Sequence, residues 1–183
     1  VGNNPGARFI RWGGENSAEA EIRRALPEVY PRLWRFCLVL AGRRDAAEDL
    51  AQATCLRAIE KSAGYTPGTH VDRWLFVMAR RIWLNELRAG TVRRGAGLVP
   101  VEDAEIAEEK PSTETNILAR EVLSAMGALP EAQRETAHLV YVEGYAYREA
   151  AEMLDIPIGT VMSRLAAARR SLNERLGPKE TSA

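Results

Sequence analysis

Arg73, Arg80, Arg81 and Arg88 recur in a stretch with helical spacing. At 100° per residue they project within an arc of about 100°. Trp74, Phe76 and Trp83 share the element, and Asn85 lies between the last two arginines. Guanidinium groups neutralise phosphates and aromatic rings stack on unpaired bases, so this mixture suits separated nucleic-acid strands. The plain alternative puts the aromatics in a core and the arginines on a solvated edge. Core is the expected place for Phe76 and Trp83; nucleic acid is the expected partner of the arginine row. Just upstream, Pro67, Gly68, Thr69 and His70 combine tight loop geometry with hydrogen-bonding groups.

A second constellation lies near the carboxyl end. A short helix from Tyr147 to Leu154 leads through Asp155-Ile156-Pro157 into Gly159-Thr160-Val161-Met162-Ser163-Arg164-Leu165. Proline cannot sit inside the helix it would interrupt and favours an extended residue before it, so the chain must turn there. Asp155 is a residue that tolerates the left-handed conformation of such turns. The pattern predicts a helix-turn-helix whose second helix enters a major groove. Val161, Leu165, Ala168, Leu172 and Leu176 form the expected packing face. Gly159, Ser163, Ala166 and Arg170 point the other way with Met162 and Ala167 beside them. A ligand-free helical hairpin is the bland alternative, and Leu-Asp-Ile-Pro followed by Gly-Thr-Val-x-Ser-Arg is more particular than that.

A third group precedes both. Asp45 and Glu48 predict a capping-box start for a helix running to about Ser62. Asp49 and Gln52, three residues apart, share a face on it and suit charge-assisted contacts with a basic partner helix. Asp49-Leu50-Ala51-Gln52-Ala53-Thr54-Cys55-Leu56, then Arg73-Trp74-Leu75-Phe76-Val77-Met78-Ala79-Arg80, then Ile156-Pro157-Ile158-Gly159-Thr160-Val161-Met162-Ser163-Arg164 together resemble the extracytoplasmic-function sigma factors of bacterial RNA polymerase. The resemblance runs from about Glu19 to Leu176. Ala53 and Cys55 stand where that family usually has Glu and Phe, and Arg81 where it often has Asn. Met162, Ala166 and Ala167 replace side chains that are commonly basic or bulky.

The resemblance implies an alternative sigma factor that binds core RNA polymerase and directs promoter recognition and opening. Asp49, Leu50, Gln52 and Leu56 would meet the clamp helices of the largest subunit, the flap being a further polymerase contact. Gly68, Thr69, His70, Arg73, Trp74, Arg80, Arg81, Asn85 and Arg88 would meet the −10 element, the loop from Tyr65 to Val71 capturing a flipped base. Gly159, Thr160, Met162, Ser163, Arg164, Ala166, Ala167 and Arg170 would meet the −35 element. Promoter DNA and an anti-sigma factor are the other implied partners, an acidic connector masking basic surfaces in cis being the alternative to the latter. Two other classes compete. A stand-alone helix-turn-helix regulator leaves the Asp49/Gln52 face idle, and a mimic that occupies an anti-sigma factor usually carries a receiver domain.

Composition sets the outer bounds. The 183 residues are 46% hydrophobic and 27% charged, enough for two small helical domains. A stretch of about eighteen apolar residues is missing, so no membrane insertion is expected and a cytoplasmic protein is. Cys37 and Cys55 read as reduced thiols. With His70 and His138 they have no ligand-like spacing, so no metal and no cofactor is expected. Neither a Gly-rich phosphate loop nor a nucleophile–base set is present, which argues against an enzyme and leaves no catalytic residues to name. The net charge of zero conceals a partition: +4 over 15–97, −5 over 98–128 and −1 over 129–183. An acidic balance is unusual for a DNA-reading domain.

The expected architecture is all-α, two bundles joined by a flexible acidic linker. Region two takes 15–90, the linker 91–115, and a helix-turn-helix region four 116–177. Expected helices are Glu19–Ala25, Glu28–Ala41, Asp45–Ser62, Asp72–Arg88, Asn116–Ala128, Glu131–Glu143, Tyr147–Leu154 and Gly159–Leu176.

Overall fold

The computed structural model describes residues 17–95 and 124–176, and every element there is helical. The first body comprises α1 (Ser17–Ala41), α2 (Arg44–Glu60), a 3-10 turn at Ser62–Gly64 and α3 (Val71–Gly95). After a helical turn at 124–127 come α4 (Glu131–Ala137), a π-helical turn at His138–Val142, α5 (Tyr147–Leu154) and α6 (Ile158–Leu176). Residues 1–16, 96–123 and 177–183, which hold most of the expected linker and of the expected helix Asn116–Ala128, lie outside the described residues.

Three expected boundaries are corrected. The two helices expected before Gly42 are one, α1, which runs through Pro27 and Pro31. Each proline removes a helical N–H, but both are exposed, so the carbonyls they leave free face water. Ile22 on one side and Leu33, Phe36, Cys37 and Leu40 on the other hold α1 together by burial in a shared core. Burying one such large side chain stabilises by about 1.5–3 kcal/mol, which offsets a missing backbone bond. The capping box at the start of α2 does not form: Arg43 occupies the cap without a side-chain bond, and Asp45 pairs with the Arg43 guanidinium instead. α3 continues past Arg88 to Gly95, into the expected linker.

In the first body α1 packs on both α2 and α3. Leu50, Ala51 and Ala58 of α2 and Leu75, Phe76 and Ala79 of α3 complete its core. Phe36 stacks on Phe76 at 4.9 Å. Burial pushes the Cys37 thiol up to about 12, with the nearby Cys55 adding to the rise, so it stays protonated and unreactive.

In the second body Val161, Leu165 and Ala168 of α6 are fully buried with Leu139, Ala150, Met153 and Leu154. Leu172 is half-buried and still packs against the core, whereas Leu176 is 39% exposed, so the expected packing face ends about one turn early. Asp155 adopts the left-handed conformation, φ 53°, that the turn before Pro157 requires.

The bodies are joined by more than a tether. Arg32 of α1 donates to Glu143 at 2.6 Å and lies 3.1 Å from Asp72. Tyr145 donates its hydroxyl proton to Asp72 at 2.7 Å, and its ring meets Phe76 edge-on at 6.1 Å. His138 tilts against Phe36 at 5.8 Å. Arg134 of α4 donates to the Val39 carbonyl at 2.7 Å. The π-helical turn, closed by Glu143 N–H to the His138 carbonyl at 3.0 Å, brings Glu143 and Tyr145 to this joint. Burial pushes the Asp72 and Glu143 carboxyls up. The Tyr145 hydroxyl at Asp72, His138 at Glu143 and Arg32 at both outweigh it and hold both below the usual range.

Candidate polymerase and nucleic-acid interfaces

On α2 the buried positions Ala47, Leu50, Ala51, Thr54 and Ala58 leave Asp49, Gln52, Ala53 and Leu56 on the opposite, exposed face. Leu56 is 61% exposed, an unusual position for a large apolar side chain. Leu50 is a correction: at 2% exposure it is core and cannot touch a partner. A carboxylate, an amide and an apolar knob remain on one face.

The arginine row of α3 divides in two. Arg81 and Arg88 are exposed, and Arg88 donates to Asn85 at 3.3 Å, making a solvent-facing polar edge. Arg73 and Arg80, seven residues apart and so nearly in register, face the second body instead. Arg73 pairs with Glu149 of α5 and lies 3.8 Å from Glu152. Arg80 pairs with Glu135 of α4. Burial raises the Glu135 carboxyl against the opposing pull of Arg80 and Arg164. Expected as free phosphate-binding groups, Arg73 and Arg80 are engaged within the chain, because the packed regions place acids over them. Trp83 is half-buried and donates its indole N–H to Glu131 at 2.9 Å. Phe76 is core, as expected. Trp74 is half-buried against Tyr65, ring centroids 5.4 Å apart.

The loop before α3 is pinned yet open. Thr66, Pro67, Gly68, Thr69 and His70 are all exposed, whereas Tyr65 is 4% exposed. Thr69 donates through its hydroxyl to the Thr66 carbonyl at 2.7 Å. Gly68 takes φ +80°, a region that strains other residues, with nothing within 4 Å of where a Cβ would stand. Glu21 of α1 accepts from the Gly68 N–H at 3.0 Å and the Tyr65 hydroxyl at 2.8 Å. Those bonds hold its carboxyl below the ordinary range. Neither Glu21 nor the acids opposite α3 stand out in the sequence, since their partners are distant along the chain.

On α6 Gly159, Met162, Ser163 and Arg170 are exposed, Met162 by 50%, beside Ile158 at 43%. Thr160, Arg164, Ala166 and Ala167 are half-buried. Ser163 donates its hydroxyl proton to the Thr160 carbonyl at 3.0 Å, leaving its oxygen to accept. Arg164, expected to hold phosphate, leans inward and acts on Glu135. Outward cations on this helix come from Arg169, Arg170 and Arg175. Among the described residues no group of His, Cys, Asp and Glu is arranged to hold a metal ion, and no helix is long and apolar enough to cross a membrane.

A helix-turn-helix packed against a bundle with a basic-aromatic helix defines a two-region, all-α DNA-binding protein. Residues 27–92 match the family Sigma-70 region 2, and residues 119–172 match Sigma-70, region 4. The ECF RNA polymerase sigma factor EcfG of Rhodopseudomonas palustris is 31% identical over 168 residues, covering 87% of this chain and 92% of its own. SigL of Mycobacterium tuberculosis is 32% identical, over 90% of this chain and 94% of its own. The sigma factor RpoE of Bartonella quintana, solved in complex with the anti-sigma factor NepR, aligns with a TM-score of 0.70 at 28% identity. The alignment covers 85% of this chain and 96% of that one. The chain belongs to the extracytoplasmic-function sigma factors. It is an alternative sigma factor whose partners are core RNA polymerase and promoter DNA.

Proposed function

We propose that α2 docks on core polymerase through Asp49, Gln52 and Leu56, that α3 and its preceding loop engage and open the −10 element, and that α6 lies on the −35 element. The observation that carries this is the exposed acidic, amide and apolar face of α2, opposite a buried face that contains Leu50. Region two takes 15–90 with α3 extended to Gly95, and region four takes 116–177. The protein acts as a non-enzymatic specificity subunit in the cytoplasm, where the polymerase and its templates are. An anti-sigma factor is its expected regulator, the aligned RpoE having been solved with one. Arg73 and Arg80 reach phosphate only once their pairs with Glu149 and Glu135 break, so region four must leave α3 when the promoter binds.

Promoter-dependent transcription with purified core polymerase tests the reading. Wild type initiates, whereas Asp49→Ala with Gln52→Ala loses polymerase affinity with stability altered by less than about 0.5 kcal/mol, as exposed substitutions usually do. Unchanged affinity of the double variant in a competition assay removes the α2 face from the docking surface.

A further inference from the structure

We infer that Glu21, on α1 and outside every promoter-facing element, is the positioning residue that sets base selectivity at the −10 loop. The inference rests on the reading of that loop as the −10 contact. Three observations lead to it.

The first is connectivity. The Glu21 carboxylate binds the loop at two points: the Gly68 N–H bonds to both of its oxygens, at 3.2 and 3.0 Å, and the Tyr65 hydroxyl to one of them, at 2.8 Å. The same hydroxyl lies 2.8 Å from the Thr69 carbonyl, so its single proton is shared between Glu21 and the loop backbone. One side chain thereby ties the residue before the exposed run and the middle of that run to α1.

The second is geometry. With φ at +80°, Gly68 turns its N–H inward to the carboxylate, and the opposite side of its Cα is open. Thr66, Pro67, Thr69 and His70 are exposed around it. A base approaching from solvent meets a backbone already held in one shape, and selectivity for a flipped base comes from the shape of its pocket and hydrogen bonds along its edge.

The third is charge. Glu21 is an acid held in its ionised form beside a loop that must approach polyanionic DNA. That sign is unfavourable for affinity. Its contribution therefore lies in loop geometry, where charge-assisted bonds to backbone N–H groups are stronger than neutral ones.

The test uses the full chain assembled with core polymerase. Initiation is measured on templates that differ by one base in the −10 element, for wild type, Glu21→Gln and Tyr65→Phe. Glu21→Gln keeps the shape but loses the charge and one acceptor; Tyr65→Phe keeps the ring against Trp74 and loses only the hydroxyl. Glu21→Gln should reduce the preference between best and substituted base roughly tenfold, within the discrimination that one well-placed base contact supplies. Tyr65→Phe should shift it the same way by less, with −35 preference and polymerase affinity unchanged for both. Initiation lowered equally on every template by both variants means Glu21 is merely structural and overturns the inference, as does unchanged preference in both. If Glu21→Gln fails to fold, Tyr65→Phe decides alone by the same criterion. Absence of promoter-dependent initiation by wild type would instead defeat the reading of the loop, and the inference with it.

Discussion

Region two and region four carry opposite charge balances, +4 over 15–97 against −1 over 129–183, although both meet DNA in the proposed reading. The structure gives the difference a physical origin. Glu135, Glu143 and Glu149 of region four turn toward region two, where Arg80, Arg32 and Arg73 receive them. Arg169 and Arg170 of α6 remain exposed. A domain's net charge therefore misleads when part of it is neutralised against a neighbouring domain; the charge of the outward face is the relevant quantity. Among the described residues the acids over the arginine row come from region four.

The largest effect expected is on the surface the two regions share. Phe36 stacks on Phe76 within region two and also meets His138 of region four. Phe36→Ala should destabilise by about 3–5 kcal/mol, the usual consequence of truncating a buried aromatic, and denaturant unfolding measures it. A loss confined to region two, with region-four amide protection unchanged, would break the view that the regions share one joint.

The next prediction sharpens the charge comparison. Glu135→Gln with Glu149→Gln should free Arg80 and Arg73 and raise non-specific DNA affinity of the full chain. The slope of log affinity against log salt should steepen by about two units, close to one for each additional phosphate neutralised. A slope equal to wild type means that these acids do not mask the row.

The smallest effect is expected on α6. Met162, 50% exposed, offers no hydrogen bond to a base edge. Met162→Lys should tighten −35 binding by about 1–3 kcal/mol if it reaches a guanine, read by titration of DNA onto the full chain. Ala167, half-buried, is the poorer site for an added arginine. Tightening that is equal on scrambled DNA would assign the lysine to phosphate instead.

How much is legible in the sequence depends on distance along the chain. The turn at Asp155 and Pro157, the buried face of α6 through Ala168 and the exposed Asp49/Gln52 pair follow from periodicity and turn chemistry within a few residues, and the structure agrees with each. Leu50 is misplaced by its motif because a motif names adjacent residues, whereas a helix turns each successive residue by about 100°, which carries Leu50 from the exposed side of Asp49 into the core. The break expected between two helices before Gly42 fails for a related reason. Proline disfavours helix locally, but burial along α1 and hydration of its outer face outweigh that preference.

By itself the sequence determined the all-α class, the two ordered motifs that place this chain among sigma factors, and which side chains could meet phosphate or polymerase. Those are consequences of local propensity and of spacing at 3.6 residues per turn. Tertiary structure alone decided which of those side chains are free. Arg73 and Arg80 are equivalent to Arg81 and Arg88 in a helical repeat, and only packing against α4 and α5 separates them. Glu21 acquires its bonds to the loop before α3 in the same way, since α1 and that loop are brought together by a core rather than by sequence proximity.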